Sequence, residues 1–295
     1  MNDHAKGLLL TTLGVLFVVP DSLFVRLIEA DPMVVAFWRG LGAGVIVLLG
    51  VLAFQGAGAV RASLNTGRPG LIYMLLMGST APGFVLAVTQ TSVANVVFIF
   101  ASMPIFSAIF GRVFLGERIS SRMVYTMIVV IAGLGIIAYG SAENEIASWK
   151  GDLWALYVAL AYSGALTAVR QLRHVSMIPA VPICYIGAAL ALLLVVDPWP
   201  ALEGQWLLFL GHGAFIAIAT CLLTLGPRYI TSAEVALLIL LESVLAPLLV
   251  WAVVGEDPGR WAIVGGAVVI GALVVSNMVA LSRRRGRAMP PEIGA

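Results

Sequence analysis

The chain has 295 residues, of which 61% are hydrophobic and 11% charged, with a formal net charge of +2, and its mean hydropathy is +1.03. Soluble proteins carry about 25% charged residues, so this chain cannot cover a water-facing surface with polar groups. A soluble enzyme or a nucleic-acid-binding protein is excluded. The two cysteines, Cys184 and Cys221, lie in apolar runs and suggest neither a disulfide framework nor a cysteine metal site.

A helix needs about 20 mostly apolar residues to cross a bilayer. Ten such runs follow in chain order, at residues 6–27, 32–54, 70–91, 94–115, 123–140, 152–170, 176–196, 205–225, 233–254 and 260–281. They are too long and too uniformly apolar for the alternating strands of a transmembrane barrel. The first run has no small-residue cleavage site and reads as a retained helix. The expectation is an all-α polytopic membrane protein.

Basic residues orient the spans. Lys6, Arg61, Arg68, Arg112, Arg118, Arg122, Arg170, Arg173, Arg228, Arg283, Arg284, Arg285 and Arg287 fall on one side, and Arg26, Lys150 and Arg260 on the other. This bias places both termini in the cytoplasm. Trp149, Trp154, Trp199, Trp206, Trp251 and Trp261 cluster near outer span ends and read as an interfacial aromatic belt. Residues 283–287, followed by Pro290 and Pro291, read as a solvated basic tail at the anionic inner leaflet.

The chain is written twice. Lys6-Gly7 and Lys150-Gly151 open the first and sixth spans, Arg26 and Arg170 close them, and both pairs are 144 residues apart. Ser92-Val93-Ala94-Asn95-Val96 precedes the fourth span and Thr231-Ser232-Ala233-Glu234-Val235 the ninth; Gly116-Glu117 and Gly255-Glu256 follow them, all at an offset of 139. Five spans per copy is an odd number, so the second copy enters the membrane upside down. That is the inverted-repeat plan of secondary transporters, with a site near the midplane. The expected division is 1–141 and 142–281 as two inverted five-helix repeats, and 282–295 as the basic tail.

These residues resemble the EamA branch of the drug/metabolite transporter superfamily. The likeness rests on the ten spans in two halves, Arg39 in Phe37-Trp38-Arg39-Gly40, the run from Ala94 through Pro104 to Leu115-Gly116-Glu117-Arg118, and the matching Glu242 and Gly255-Glu256. It covers residues 6–281. Within the branch the chain is most similar to the YddG-type exporters of aromatic amino acids. It departs from the family's usual pattern at Met103, where an aromatic is common, and at Val19-Pro20-Asp21, where a Trp-Gly or Trp-Ser pair is common.

Ionisable groups within spans are costly in hydrocarbon and read first as functional. Asp21 and Arg39 are both roughly 10 Å deep, at 1.5 Å per residue, on antiparallel neighbouring spans. They suit a buried ion pair fixing the first hairpin, or a gate or substrate contact. Glu242 sits mid-span with no basic residue on its own helix, as a proton carrier, a partner for a substrate amine, or a protonated structural group. Pro104 and Pro247 free backbone carbonyls that protein or a water-lined cavity must satisfy; these two prolines and Pro20, beside Asp21, are structural or gate candidates. Phe100, Met103 and Ser107 form one stripe, and the offset of 139 sets Met103 opposite Glu242. Tyr157, Tyr162, Ser163 and Thr80 are polar side chains in apolar runs, serving either a cavity or local hydrogen bonds. His212 reads as solitary. Gly40-x-x-x-Gly44 reads as a close helix contact, within the chain before between chains.

Together these readings predict a secondary transporter working by alternating access, exporting small amphipathic metabolites, with aromatic or other amino acids favoured. Organic cations, drugs or other metabolites are the alternative. A nucleotide substrate would call for several midplane cations where only Arg39 is available. A membrane-embedded enzyme would need a Ser/His, Asp/Asp or His–metal set, and none is read, nor is any P-loop. No cofactor or metal is expected. The expected partners are a small-molecule substrate and the lipid bilayer, with no nucleic acid, and the chain as a monomer or weak homo-oligomer. The expected location is a bacterial-type cytoplasmic (inner) membrane.

Overall fold

Proline, glycine and short polar caps punctuate the apolar runs and set where helices start and stop. Asp31 caps the second span through the Met33 N–H at 2.8 Å, with Pro32 in the first turn, where its missing donor costs nothing. Ser92 and Ser148 cap the fourth and sixth spans in the same way. The computed structural model describes residues 3–143, 147–172, 175–225, 229–230 and 232–288. Arg173, Arg228 and Thr231, used above to read orientation and repeats, lie outside the described residues, as do residues 289–295 of the expected tail.

Among the described residues there are thirteen α-helices and no strand: α1 (Asp3–Val18), α2 (Asp21–Leu27), α3 (Pro32–Phe54), α4 (Ala57–Leu64), α5 (Gly67–Gln90), α6 (Val93–Phe100), α7 (Met103–Leu115), α8 (Ser121–Glu143), α9 (Trp149–Gln171), α10 (Val181–Leu192), α11 (Trp206–Leu225), α12 (Ser232–Val254) and α13 (Arg260–Ala288). Eight spans are long and apolar enough to cross a membrane, taking α1 with α2 and α6 with α7. Ile178–Leu192 and Leu238–Val254 are shorter apolar helices lying where the seventh and ninth spans were expected.

Four local differences from the expected elements have physical causes. The first span breaks between Val18 and Asp21, because Pro20 lacks the N–H that would continue the ladder. The fourth span also breaks, at Ala101–Ser102, so that Pro104 sits in the first turn of α7 and not inside a helix. The connection at residues 55–69 holds α4, which packs on α3, α5 and the 3-10 turn Ile178–Ala180. The last helix continues past 281 to Ala288, since arginine favours helix and the first strong breaker is Pro290.

Many of the main helix contacts have a counterpart when the first five spans are exchanged for the last five, although α3 packs on α5 without a comparable contact between α10 and α11. α1 packs on α11 and α5 on α9; α3 crosses α11 and α10 crosses α5; α1 meets α12 while α9 meets α6 and α7. The pairs α3–α10, α6–α12 and α8–α13 map onto themselves. Glycines enforce the closest of these approaches. A Cβ on Gly7 would lie 2.6 Å from the Cβ of Tyr229, and one on Gly151 would lie 2.6 Å from Gln90 and Thr91. Real side chains do not approach so closely, and the two turns they meet are themselves 139 residues apart. Gly40 and Gly44 lie against Tyr185 and Ile186 of α10, so this pair of glycines is used inside the chain.

The outside of the bundle is greasy. Phe54 is 91% and Leu194 86% exposed, and only lipid can cover such surface without a large hydrophobic penalty. Trp149, Trp154, Trp199, Trp206 and Trp251 are exposed.

Candidate functional site

The break before α2 puts Asp21 in that helix's first turn, where unpaired backbone N–H groups favour a negative charge. There it meets Arg39 of α3 through two parallel bonds. Arg39 Nε donates to Asp21 Oδ1 at 2.9 Å and Nη2 to Oδ2 at 2.5 Å. Both residues are buried. A third residue completes the unit: His212 of α11, fully buried, places Nε2 2.6 Å from Asp21 Oδ1. An ionised Asp21 can only accept, so Nε2 carries a hydrogen and donates it. Among the described residues Nδ1 has no partner. The ring stacks on Phe24 at 5.2 Å, 13° from parallel. The approach is permitted by the next residue: Gly213 of α11 crosses Gly42 of α3 so closely that a Cβ on Gly213 would lie 2.9 Å from the Gly42 Cα.

His212 therefore is not solitary. Its partner lies 191 residues away on another span, and no spacing within one helix could reveal it. Among the described residues no group of three or more His, Cys, Asp or Glu could hold a metal ion.

Around this unit lies a second layer of polar and aromatic groups. The Arg39 guanidinium sits 5.0 Å from the centre of the Phe84 ring, and Phe84 in turn contacts Phe100 at 5.9 Å. Glu242 of α12 is half-buried and within electrostatic reach of both Asp21 and Arg39. Among the described residues no hydrogen bond or ion pair holds its carboxyl group. Tyr162 of α9, also half-buried, shares this neighbourhood with Glu242 and Tyr185, and Tyr185 lies 3.5 Å from the Thr220 hydroxyl. Thus residues from α2, α3, α9 and α12 converge. Thr220 of α11, another hydroxyl in an apolar run, joins them, as does Tyr185 of α10, which was not singled out in the sequence.

The remaining candidates are spread more widely. Ser163 donates to the Met103 carbonyl at 3.0 Å, tying α9 to the start of α7. Met103 and Ser107 are half-buried, and Pro104 is exposed. Thr80 gives its hydroxyl to Met77 of its own helix at 2.6 Å. Pro247 is buried within a continuous α12. Tyr157 is exposed and contacts Trp154 edge-on. It lines a separate apolar cavity of about 400 Å³ between α5, α7 and α9, together with Leu76, Phe110, Phe114 and Gly164.

A polar centre inside a greasy helical bundle suits a path for small polar molecules, and comparison with known proteins gives it a family. The model of the EamA-like transporter family matches residues 5–139 and again residues 149–278. The chain belongs to the EamA-like transporter family. It is thus a multi-pass membrane protein of a family of small-solute transporters, and that family is not enzymatic. The double match agrees with the exchange of helix contacts between the two halves. No curated protein matches the sequence. A solved crystal structure of a protein 17% identical to this EamA-like chain superposes with a TM-score of 0.66, covering 95% of this chain and 99% of its own. At that identity the likeness concerns the fold alone.

Proposed function

We propose that this EamA-like protein exports small amphipathic metabolites across the cytoplasmic membrane by alternating access, with aromatic and other amino acids as its substrates. In this reading its two five-helix halves, 1–141 and 142–281, are inverted repeats, the end carrying Arg170 faces the cytoplasm, and both termini lie there. The supporting observation is Glu242: a carboxyl that no described residue partners, beside a charge-balanced Asp21–Arg39 pair. A substrate amine can neutralise it, while Phe100, Met103 and Tyr162 offer surface to an apolar body. An organic cation would satisfy the same carboxyl and is the second reading.

The test is exchange of radiolabelled tryptophan in proteoliposomes over a range of pH. Glu242→Gln keeps shape and removes the ionisable proton, so it is expected to reduce exchange. Met103→Trp narrows the space and is expected to slow tryptophan more than alanine. Wild-type exchange by Glu242→Gln at every pH would remove Glu242 from the site.

A further inference from the structure

The Gly-Glu pairs that end α7 and α12 share a local geometry. Gly116 and Gly255 both adopt positive φ, 68° and 77°, which a glycine tolerates and other residues resist. Each stops its helix and turns the following glutamate back on the bundle. Glu256 then receives Arg26 Nε at 2.7 Å, and Glu117 receives Arg170 Nη1 at 3.1 Å. Arg26 and Arg170 are 144 residues apart and Glu117 and Glu256 are 139 apart, so the two ion pairs are counterparts in the two halves. They lie at opposite ends of the bundle. Arg26 reaches the turn at Thr91, which packs on the first turn of α9, whereas Arg170 is in the last turn of that 23-residue helix. At 1.5 Å per residue this puts them roughly 30 Å apart.

Their surroundings differ. Glu256 also accepts the Val93 N–H at 2.7 Å, and Arg26 donates to the Thr91 carbonyl at 2.9 Å. One carboxylate and one guanidinium thereby clamp the turn entering α6. Next to it Asp152 Oδ1 accepts from Thr91 and Asn95, at 2.8 and 3.0 Å. The side chains of Arg26 and Glu256 are 19% and 9% exposed, whereas those of Arg170 and Glu117 are 47% and 42% exposed.

We propose that Arg26–Glu256 and Arg170–Glu117 are the two gates of the transport cycle, closed in alternation, with the Arg26 gate shut and the Arg170 gate loosened in this structure. This rests on the alternating-access reading above. When the Arg26 end opens, Glu117 and Arg170 draw in on the turn at Tyr229–Ile230, the counterpart of Gln90–Thr91. The pairs thus position the helices and bias the two states, and they make no demand on substrate chemistry.

The test needs no known substrate. Val93→Cys, in full-length protein carrying Cys184→Ala and Cys221→Ser, is labelled in proteoliposomes with a membrane-impermeant maleimide from the Arg26 side. Loss of a charge-assisted bond shifts a two-state balance by about tenfold. Glu256→Gln is expected to raise labelling by about that factor, and Glu117→Gln, which frees the opposite end, to lower it. The reversed pair Arg26→Glu with Glu256→Arg is expected to restore low labelling and to show that the fold survives. Changes of the same sign in both glutamine variants, or no change in either, would overturn the proposal. Tryptophan exchange by the same vesicles separates the two readings. Opposite shifts without exchange keep the gates and refute the amino acid substrate; exchange without opposite shifts refutes the gates.

Discussion

In the first half, two spans are jointed: α1 gives way to α2 at Val19–Pro20, and α6 to α7 at Ala101–Ser102. In the second half α9 and α12 run through without a break, although α12 contains Pro247. Many of the main helix-to-helix contacts exchange between halves all the same. Much of the packing therefore follows the repeat while local backbone does not, and the groups that distinguish this chain sit at the joints. Asp21 opens α2, and Met103, whose carbonyl takes the Ser163 hydroxyl, opens α7. A broken helix presents its charge and its carbonyls sideways, which an unbroken one cannot do.

The sharpest way to break this comparison is to remove the charge at the first joint. Arg39→Ala leaves Asp21 buried without its bidentate partner and is expected to cost about 3–5 kcal/mol of stability. Asp21→Asn combined with Arg39→Gln is expected to recover much of that, because two neutral amides replace two charges. Thermal melts in detergent decide it, and equal melting temperatures for wild type and Arg39→Ala would contradict a structural role for the pair.

A smaller effect tests what the halves share. Gly7→Ala and Gly151→Ala each force a Cβ against an opposing turn and are each expected to cost about 1–3 kcal/mol. Similar losses in the two melts support equivalent joints; tolerance at either glycine would show that its half packs differently. The contrast between the two ion pairs, down to the smallest loss at Arg170, tests where they differ. Arg26→Gln, at the buried clamp, is expected to cost roughly 1.5–3 kcal/mol. Arg170→Gln, at the open pair, is expected to cost no more than about 1 kcal/mol. Equal losses would mean that the two ends are equally tight.

Much of the fold was legible because hydrocarbon is a severe filter: a run long and apolar enough to cross it announces itself, and the Gly-Glu turns recur at one offset. The Asp21–Arg39 contact was legible because a short turn joins its two spans. His212 was not, since its partner comes from the other half of the chain. The break at Ala101–Ser102 was hidden because Pro104 marks a helix interrupted near it without saying on which side. The Arg26–Glu256 and Arg170–Glu117 pairs had a readable signal. Each offset reads along its own span, and only the two combined show which ends of different spans meet.

The seating of Gly151 against Gln90 and Thr91 has a consequence for how the chain is made. Synthesis delivers the first five spans before Gly151 and Asp152 exist. Until then the Thr91 hydroxyl and the Asn95 amide, both buried in the finished protein, lack the carboxylate that accepts from them. The amino-terminal half by itself therefore carries a polar edge at Thr91 and Asn95. Its seal arrives with the first turn of α9, and the corresponding seal, Gly7 against Tyr229 and Ile230, waits in place from the start for the far end of the chain to be born.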